Sequence, residues 1–389
     1  MKEKFISLNS FLILFAMLAS CQSKEKFDWD AGFSAPKNYI AGDPSVSYFY
    51  KGVKLAGASS TVGINPGWGE TSGGFTSGDD FKPVPDSVFV KWDCGFDLIE
   101  YEGGFKLPKE KMLSLFKSKV RDPLGNMENY SLIVTGMAPG GNVTLWMKAG
   151  LIKTEIAKFK AKAIDTMSKD DPNRGITIWT STGDEAKYIL SYIKLHGIPY
   201  HVWEVGEKEY NYNIGFSSEE DKNYSFGITG YSEDGTTIGY DQEENTLVML
   251  KHNTNYTPSI GKIKNKLPVH FSIQWISEDN EQWYKAEIVL PNNFSEKFTS
   301  GEAVKNYGYD RILIKMDKEI PGQAYVFGKI MIQGKDKEDM IMKFRAPKLN
   351  NETKKYDFSK YSLPKGYVFP KWQGRNNLTF PKIDFWQEQ

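Results

Sequence analysis

The sequence predicts a mainly β (α+β) protein: two tandem antiparallel β-rich, sandwich-like domains with a short strand-helix-strand insert between them. Three observations predict it. The chain matches itself when shifted by 183 positions, which points to repeated architecture. Each half carries β-branched and aromatic runs that end at Pro-Gly reversals. Helical periodicity is confined to stretches near the middle of the 389 residues.

The first 20 residues read as a secretory signal. Lys2 and Lys4 open it, Phe5 to Met17 form an apolar run, and Leu18-Ala19-Ser20-Cys21 is a lipobox. A run of about 13 apolar residues is too short to cross a hydrocarbon core of roughly 30 Å. Cys21 is therefore the expected lipid-attachment residue, and the membrane is the expected partner through that lipid. Gln22-Ser23-Lys24 has no Asp after the cysteine, which favours the outer membrane of the cell envelope; the face is left open.

The repeat places Gly32-Phe33-Ser34 on Gly215-Phe216-Ser217, Tyr48 and Gly52 on Tyr231 and Gly235, Gly78 on Gly261, and Pro85 on Pro268. Trp92, Tyr101 and Leu107-Pro108 then fall on Trp275, Tyr284 and Leu290-Pro291 without a gap, and Pro139-Gly140 meets Pro321-Gly322 one position out of step. The expected domains are 21–165 and 210–345, joined by a connector over 166–209. A tail over 346–389 is rich in aromatics and proline, with its rings expected to lie in grooves.

Strands are predicted at Val88–Trp92, Tyr130–Val134 and Asn142–Trp146, with partners at His270–Trp275, Arg311–Ile314 and Ala324–Phe327. Apolar residues at i, i+3, i+4 spacing predict helices over Lys153–Met167 and Asp184–His196, the latter stopped by Gly197 and Pro199. Ile176–Trp179 and Tyr200–Val205 read as the strands of the insert. Gly52–Gly78, with eight glycines, reads as a mobile loop carrying an exposed Trp68.

Lys plus Arg and Asp plus Glu balance at 49 each. That argues against nucleic acid and against a polybasic membrane-binding surface. With Cys21 taken by lipid, Cys94 has no disulfide partner, and its apolar strand predicts a buried, inert thiol. The nucleophile elbow, the zincin helix, the phosphate loop with its lysine and the paired-cysteine motif are all missing, so no catalytic residue and no cofactor is expected. His196, His201 and Glu204 are the nearest approach to a metal cluster, but His196 reads as a helix C-terminal cap and His201 as a strand-face residue, and no metal site is expected. Asp93, Asp97, Glu100 and Glu102 have the look of paired carboxylates, but alternating surface acids on a strand are the simpler reading. Trp68 and Trp372 stand in loop-like contexts and are the candidate binding residues, for glycan stacking or a protein partner.

Trp92 followed by acids around Tyr101, then Leu107-Pro108, then Gly136-Met137-Ala138-Pro139-Gly140-Gly141-Asn142-Val143-Thr144-Leu145-Trp146, resembles the bacterial lipoprotein family catalogued as domain of unknown function 2931. The likeness covers about residues 27 to 160. The second half keeps Trp275, Tyr284, Leu290-Pro291 and Pro321-Gly322 but has Gln323 in place of the second glycine and Gly328 in place of the tryptophan, so it reads as a diverged copy. The resemblance implies an envelope lipoprotein without established catalytic residues and, for some relatives, an immunity-like role beside secreted lipase toxins. The motif residues themselves are expected to be structural.

The function expected is a non-enzymatic, protein-binding lipoprotein. A glycan-binding lipoprotein is the alternative, and a hydrolase with an unrecognised carboxylate pair the third reading.

Overall fold

The computed structural model describes residues 25–122, 125–166, 183–219, 224–239, 248–250, 263–277, 282–300, 308–335, 337–349, 360–370 and 384–387. The lipobox, Ile176–Trp179 and Trp372 lie outside the described residues. The fold is mainly β, built from antiparallel sheets with a few parallel contacts. Among the described residues four short helices interrupt the strands: α1 (Lys109–Phe116), α2 (Asp184–His196), α3 (Tyr200–Val205) and α4 (Phe294–Thr299). No described helix is long and apolar enough to cross a membrane.

In the first unit, a four-stranded sheet runs in the order Ile152–Lys160, Asn142–Ala149, Leu132–Ala138, Asp30–Ser34, with the last pair parallel. A six-stranded sheet runs Lys162–Thr166, Ile99–Lys106, Ser87–Cys94, Gly42–Tyr50, Val53–Ser59, Phe75–Gly78. The alternating burial of Ser87–Cys94 sends Val88, Val90, Trp92 and Cys94 inward, as a half-buried strand requires. The two sheets are tied across the core by the Tyr48 hydroxyl and Thr135 Oγ1, 2.6 Å apart.

The second unit repeats this order. Glu338–Leu349, Tyr325–Gly334, Tyr309–Met316 and Glu209–Ser218 follow one another as in the four-stranded sheet, again with a parallel last pair. Gln282–Val289, Pro268–Ser277, Tyr224–Ser232 and Thr237–Gly239 follow as in the other. The correspondence reaches single pairs. Trp92 lies opposite Tyr101 with rings 5.2 Å apart, and Trp275 lies opposite Tyr284 with rings 5.1 Å apart. Leu107-Pro108 leads directly into α1, with Pro108 as its N-cap, and Leu290-Pro291 precedes α4 by two residues, the Pro291 carbonyl accepting from Phe294 N at 2.8 Å.

Over its described residues, 153–166, the helix predicted at Lys153–Met167 is not formed. Ile152–Lys160 and Lys162–Thr166 are strands, and between them Ala161 donates its N–H to the Gly141 carbonyl at 2.8 Å as the chain passes from one sheet to the other. The helical-looking spacing arises because a strand that serves two sheets presents apolar residues to both faces: Ile156 is buried, while Phe159 stacks on Phe105 at 4.5 Å. Pairing along the whole of Asn142–Ala149 satisfies its backbone and decides the matter.

In the connector, α2 forms as predicted, but Tyr200–Val205 is helix α3, not a strand. It pairs with no described strand; Val202 and Trp203 are both buried, Trp203 in the first core. Residues 346–349 complete the strand Glu338–Leu349 rather than opening the tail. Farther on, Tyr367 donates its hydroxyl to the Leu195 carbonyl and packs on a small cluster of Leu195, Val289 and Leu363.

Candidate functional site

The turn Pro139–Gly141 reverses the chain between Leu132–Ala138 and Asn142–Ala149, as its sequence predicts. It is not a solvent loop. Gly140 donates its N–H to Asp97 Oδ2 at 2.6 Å, and the same oxygen accepts from the Tyr101 hydroxyl at 3.0 Å. Asp97 Oδ1 accepts from Tyr200 at 2.6 Å, and the Cys94 thiol lies 3.3 Å from Oδ2. Both glycines have φ near +75°, and a Cβ on Gly141 would sit 2.8 Å from the Ala161 carbonyl. Burial and the neighbouring Asp97 push the Cys94 thiol and the Tyr101 and Tyr200 hydroxyls up, so all three stay protonated donors. Cys94 is thus buried and inert, and Asp97 is the hub that ties the motif turn to α3.

The remaining motif residues are packing. Trp92, Tyr101, Leu107, Pro139, Gly141 and Trp146 are buried, and Pro108 opens α1. Glu100 is buried and paired with Lys91, so the predicted acid cluster is divided between an ion pair and the Asp97 hub. Trp68 is corrected outright: it is 2 % exposed, not a surface binder. Its ring meets Trp146 edge-on at 4.9 Å, and its carbonyl accepts from Lys153 at 2.8 Å. Nor is its segment simply a mobile loop, since Val53–Ser59 and Phe75–Gly78 are paired strands. Exposed Trp68 was expected because glycine-rich sequence resembles loop; here the glycines let the chain fold tightly against Ser34, whose Oγ donates to Gly67.

Sequence reasoning missed the seam between the units. The hairpin tip Ser232–Thr236 of the second unit inserts against the first: the Gly235 carbonyl accepts from Lys37 N at 2.9 Å and Trp68 N at 3.0 Å, and Trp203 Nε1 donates to the Asp234 carbonyl at 2.9 Å. Asp234 pairs with Lys266 and is held by Ser232 and Thr236. Burial works against its charge, yet these partners outweigh it and keep the carboxyl below its ordinary range.

Beside the tip, His196 Nε2 and His270 Nδ1 are 3.0 Å apart, and His270 Nε2 is 2.8 Å from Glu287 Oε2. Burial and the second imidazole push His196 well down, so it is neutral. His196 is therefore a seam residue and not a helix cap, and Glu204 pairs with Lys160 on the surface. Among the described residues no group of three or more His, Cys, Asp or Glu is arranged to hold a metal ion.

Next to this pair opens a cleft of about 520 Å³, bordered by His196, Glu207, Tyr210, Glu233, Asn292 and Tyr367. Glu207 accepts the Asp234 N–H at 2.9 Å. Burial, with the charge of Asp234 beside it, pushes the Glu207 carboxyl up to about 8, and burial also raises Glu233. Lone acids carry little sequence signal.

Residues 18–201 match the family model described as Protein of unknown function (DUF2931), and this first part of the chain belongs to that family. The match spans the first unit, α2 and the start of α3, including Tyr200 at the motif turn. Comparison with curated proteins and with solved structures returned no match.

Proposed function

We propose that the chain is a lipid-anchored envelope lipoprotein made of two diverged copies of one β unit, acting without catalysis by binding another protein. The observation that carries the anchor is the lipobox cysteine Cys21, five residues ahead of the strand that opens at Lys26. The binding reading is supported by where the family motif goes: Trp92, Asp97, Tyr101, the Pro139–Gly141 turn and Trp146 hold the fold together rather than line an open pocket. An immunity-like role, as the family resemblance implies, is one form of this reading.

The test is capture of the native lipoprotein from envelope extracts, with bound proteins and glycans both identified. A stoichiometric protein partner supports the reading. Recovery of glycan alone overturns it in favour of a glycan-binding lipoprotein.

One observation favours a hydrolase as a second reading. Glu207 stays protonated near neutral pH in a cleft that also holds Glu233 and a neutral His196, which is the condition a general acid needs. Glu207→Gln and Glu233→Gln should then abolish any hydrolysis of envelope glycans or lipids by the purified protein. Activity that survives both substitutions rules the cleft out.

A further inference from the structure

The hairpin that forms the seam in the second unit has a counterpart in the first, and there it is uncovered. Gly52 at its tip has φ of 78°, as Gly235 has 77°, but a Cβ on Gly52 would meet nothing within 4 Å. Val53 beside it is 66 % exposed. The tip borders a groove of about 590 Å³ whose rim carries Lys26, Lys51, Lys54 and the exposed Phe81, with Asp79 as the carboxylate among the described lining residues. Lys82, also in the lining, is turned inward over the Trp29 ring at 5.0 Å and does not add to the exposed charge.

Two features point to the occupant. Exposed lysines interleaved with protruding apolar side chains suit a surface of anionic headgroups over acyl chains, where the charge is drawn to phosphate and the apolar groups sink past it. The groove is also tethered: Lys26 in its rim is five residues from Cys21, a reach of at most about 18 Å for extended chain. The lining itself carries three exposed lysines to one carboxylate, with Asp80 and Asp86 beside it.

We propose that this groove is a docking face for an anionic membrane, so that the first unit lies on the bilayer through Lys26, Lys51, Lys54, Val53 and Phe81 rather than swinging free on its lipid. The proposal rests on the lipid-anchor reading of Cys21.

The test uses the purified full lipoprotein on phosphatidylcholine–phosphatidylglycerol vesicles and on pure phosphatidylcholine vesicles, with lysine labelling by a water-soluble amine reagent. Lys51 and Lys54 should label about threefold less on the anionic vesicles, while the exposed Lys187 and Lys264 label equally on both. Lys51→Glu with Lys54→Glu, both at the surface, should abolish the difference as read at Lys26. Flotation with both vesicles but equal labelling of Lys51 and Lys54 overturns docking and leaves the anchor standing. Failure to float with the neutral vesicles overturns the anchor and docking with it. Protection reproduced by inorganic phosphate alone assigns the groove to a soluble anion and also overturns the proposal.

Discussion

The two hairpin tips, Lys51-Gly52-Val53 and Asp234-Gly235-Thr236, occupy the same place in two units of the same sheet order, yet one stands in the open and the other is buried. The backbone geometry is shared, since both glycines turn at nearly the same positive φ. What differs is the neighbour. Gly235 meets Pro36 and Lys37 of the first unit, and its carbonyl is held by two N–H donors. The comparison teaches that one local design serves either as a joint or as a free surface, according to what the rest of the chain brings against it.

The largest effect should come from breaking that joint. An alanine Cβ at position 235 would lie 2.6 Å from Pro36 Cβ and 2.9 Å from Lys37 N, in addition to the left-handed strain. Gly235→Ala should destabilise by about 3 kcal/mol, and Gly52→Ala, strained but unhindered, by about 1 kcal/mol, in chemical denaturation. Equal losses would show that the seam does not close on the tip.

The two Pro-Gly turns sharpen the same contrast. Gly141 is enclosed by the Ala161 carbonyl and the Tyr101 ring, whereas in the other turn Gln323 takes its place and a Cβ on Gly322, the counterpart of Gly140, would meet nothing within 4 Å. Gly141→Ala should cost about 3 kcal/mol and Gly322→Ala about 1 kcal/mol. This also explains why Gln323 stands where the first unit has its second glycine: an exposed turn does not need one.

Two titrations test the seam more gently. Glu207 binds its proton more tightly folded than unfolded, so its contribution is full below the ordinary value of 4.5 and is lost as pH rises through about 8. Glu207→Gln keeps an acceptor for the Asp234 N–H and should gain about 2 kcal/mol over the parent above pH 8, with little gain near pH 4. His196 works in the opposite sense. Its folded form resists the proton that the unfolded imidazole takes up below about 6.5, so stability falls as pH drops through that value. His196→Gln should flatten this acid limb, worth about 1 kcal/mol per pH unit, in thermal melts taken from pH 7 to pH 5.

Much of the fold was legible because its signals are local. Strand alternation at Val88–Trp92, the Pro139-Gly140 reversal and the stop of α2 at Gly197 each depend on a few adjacent residues. The matching Trp–Tyr pairs of the two units were legible because Trp92, Tyr101 and Leu107-Pro108 keep their spacing in Trp275, Tyr284 and Leu290-Pro291. Lys153–Met167 misled because a strand shared by two sheets mimics helical spacing, and Tyr200–Val205 because β-rich composition does not reveal whether a strand partner stands beside it. Trp68 misled because glycine marks both loose loops and tight packing. The seam was illegible because His196 and His270, or Lys37 and Gly235, are brought together only by the docking of whole units.

The measurement that bears most directly on the account is the intact mass of the protein purified from cells, with fragmentation of its N-terminal peptide. The account predicts a chain that begins at Cys21 and carries acyl-glyceryl mass on that residue. A chain that begins elsewhere, or an unmodified Cys21 thiol, would contradict it.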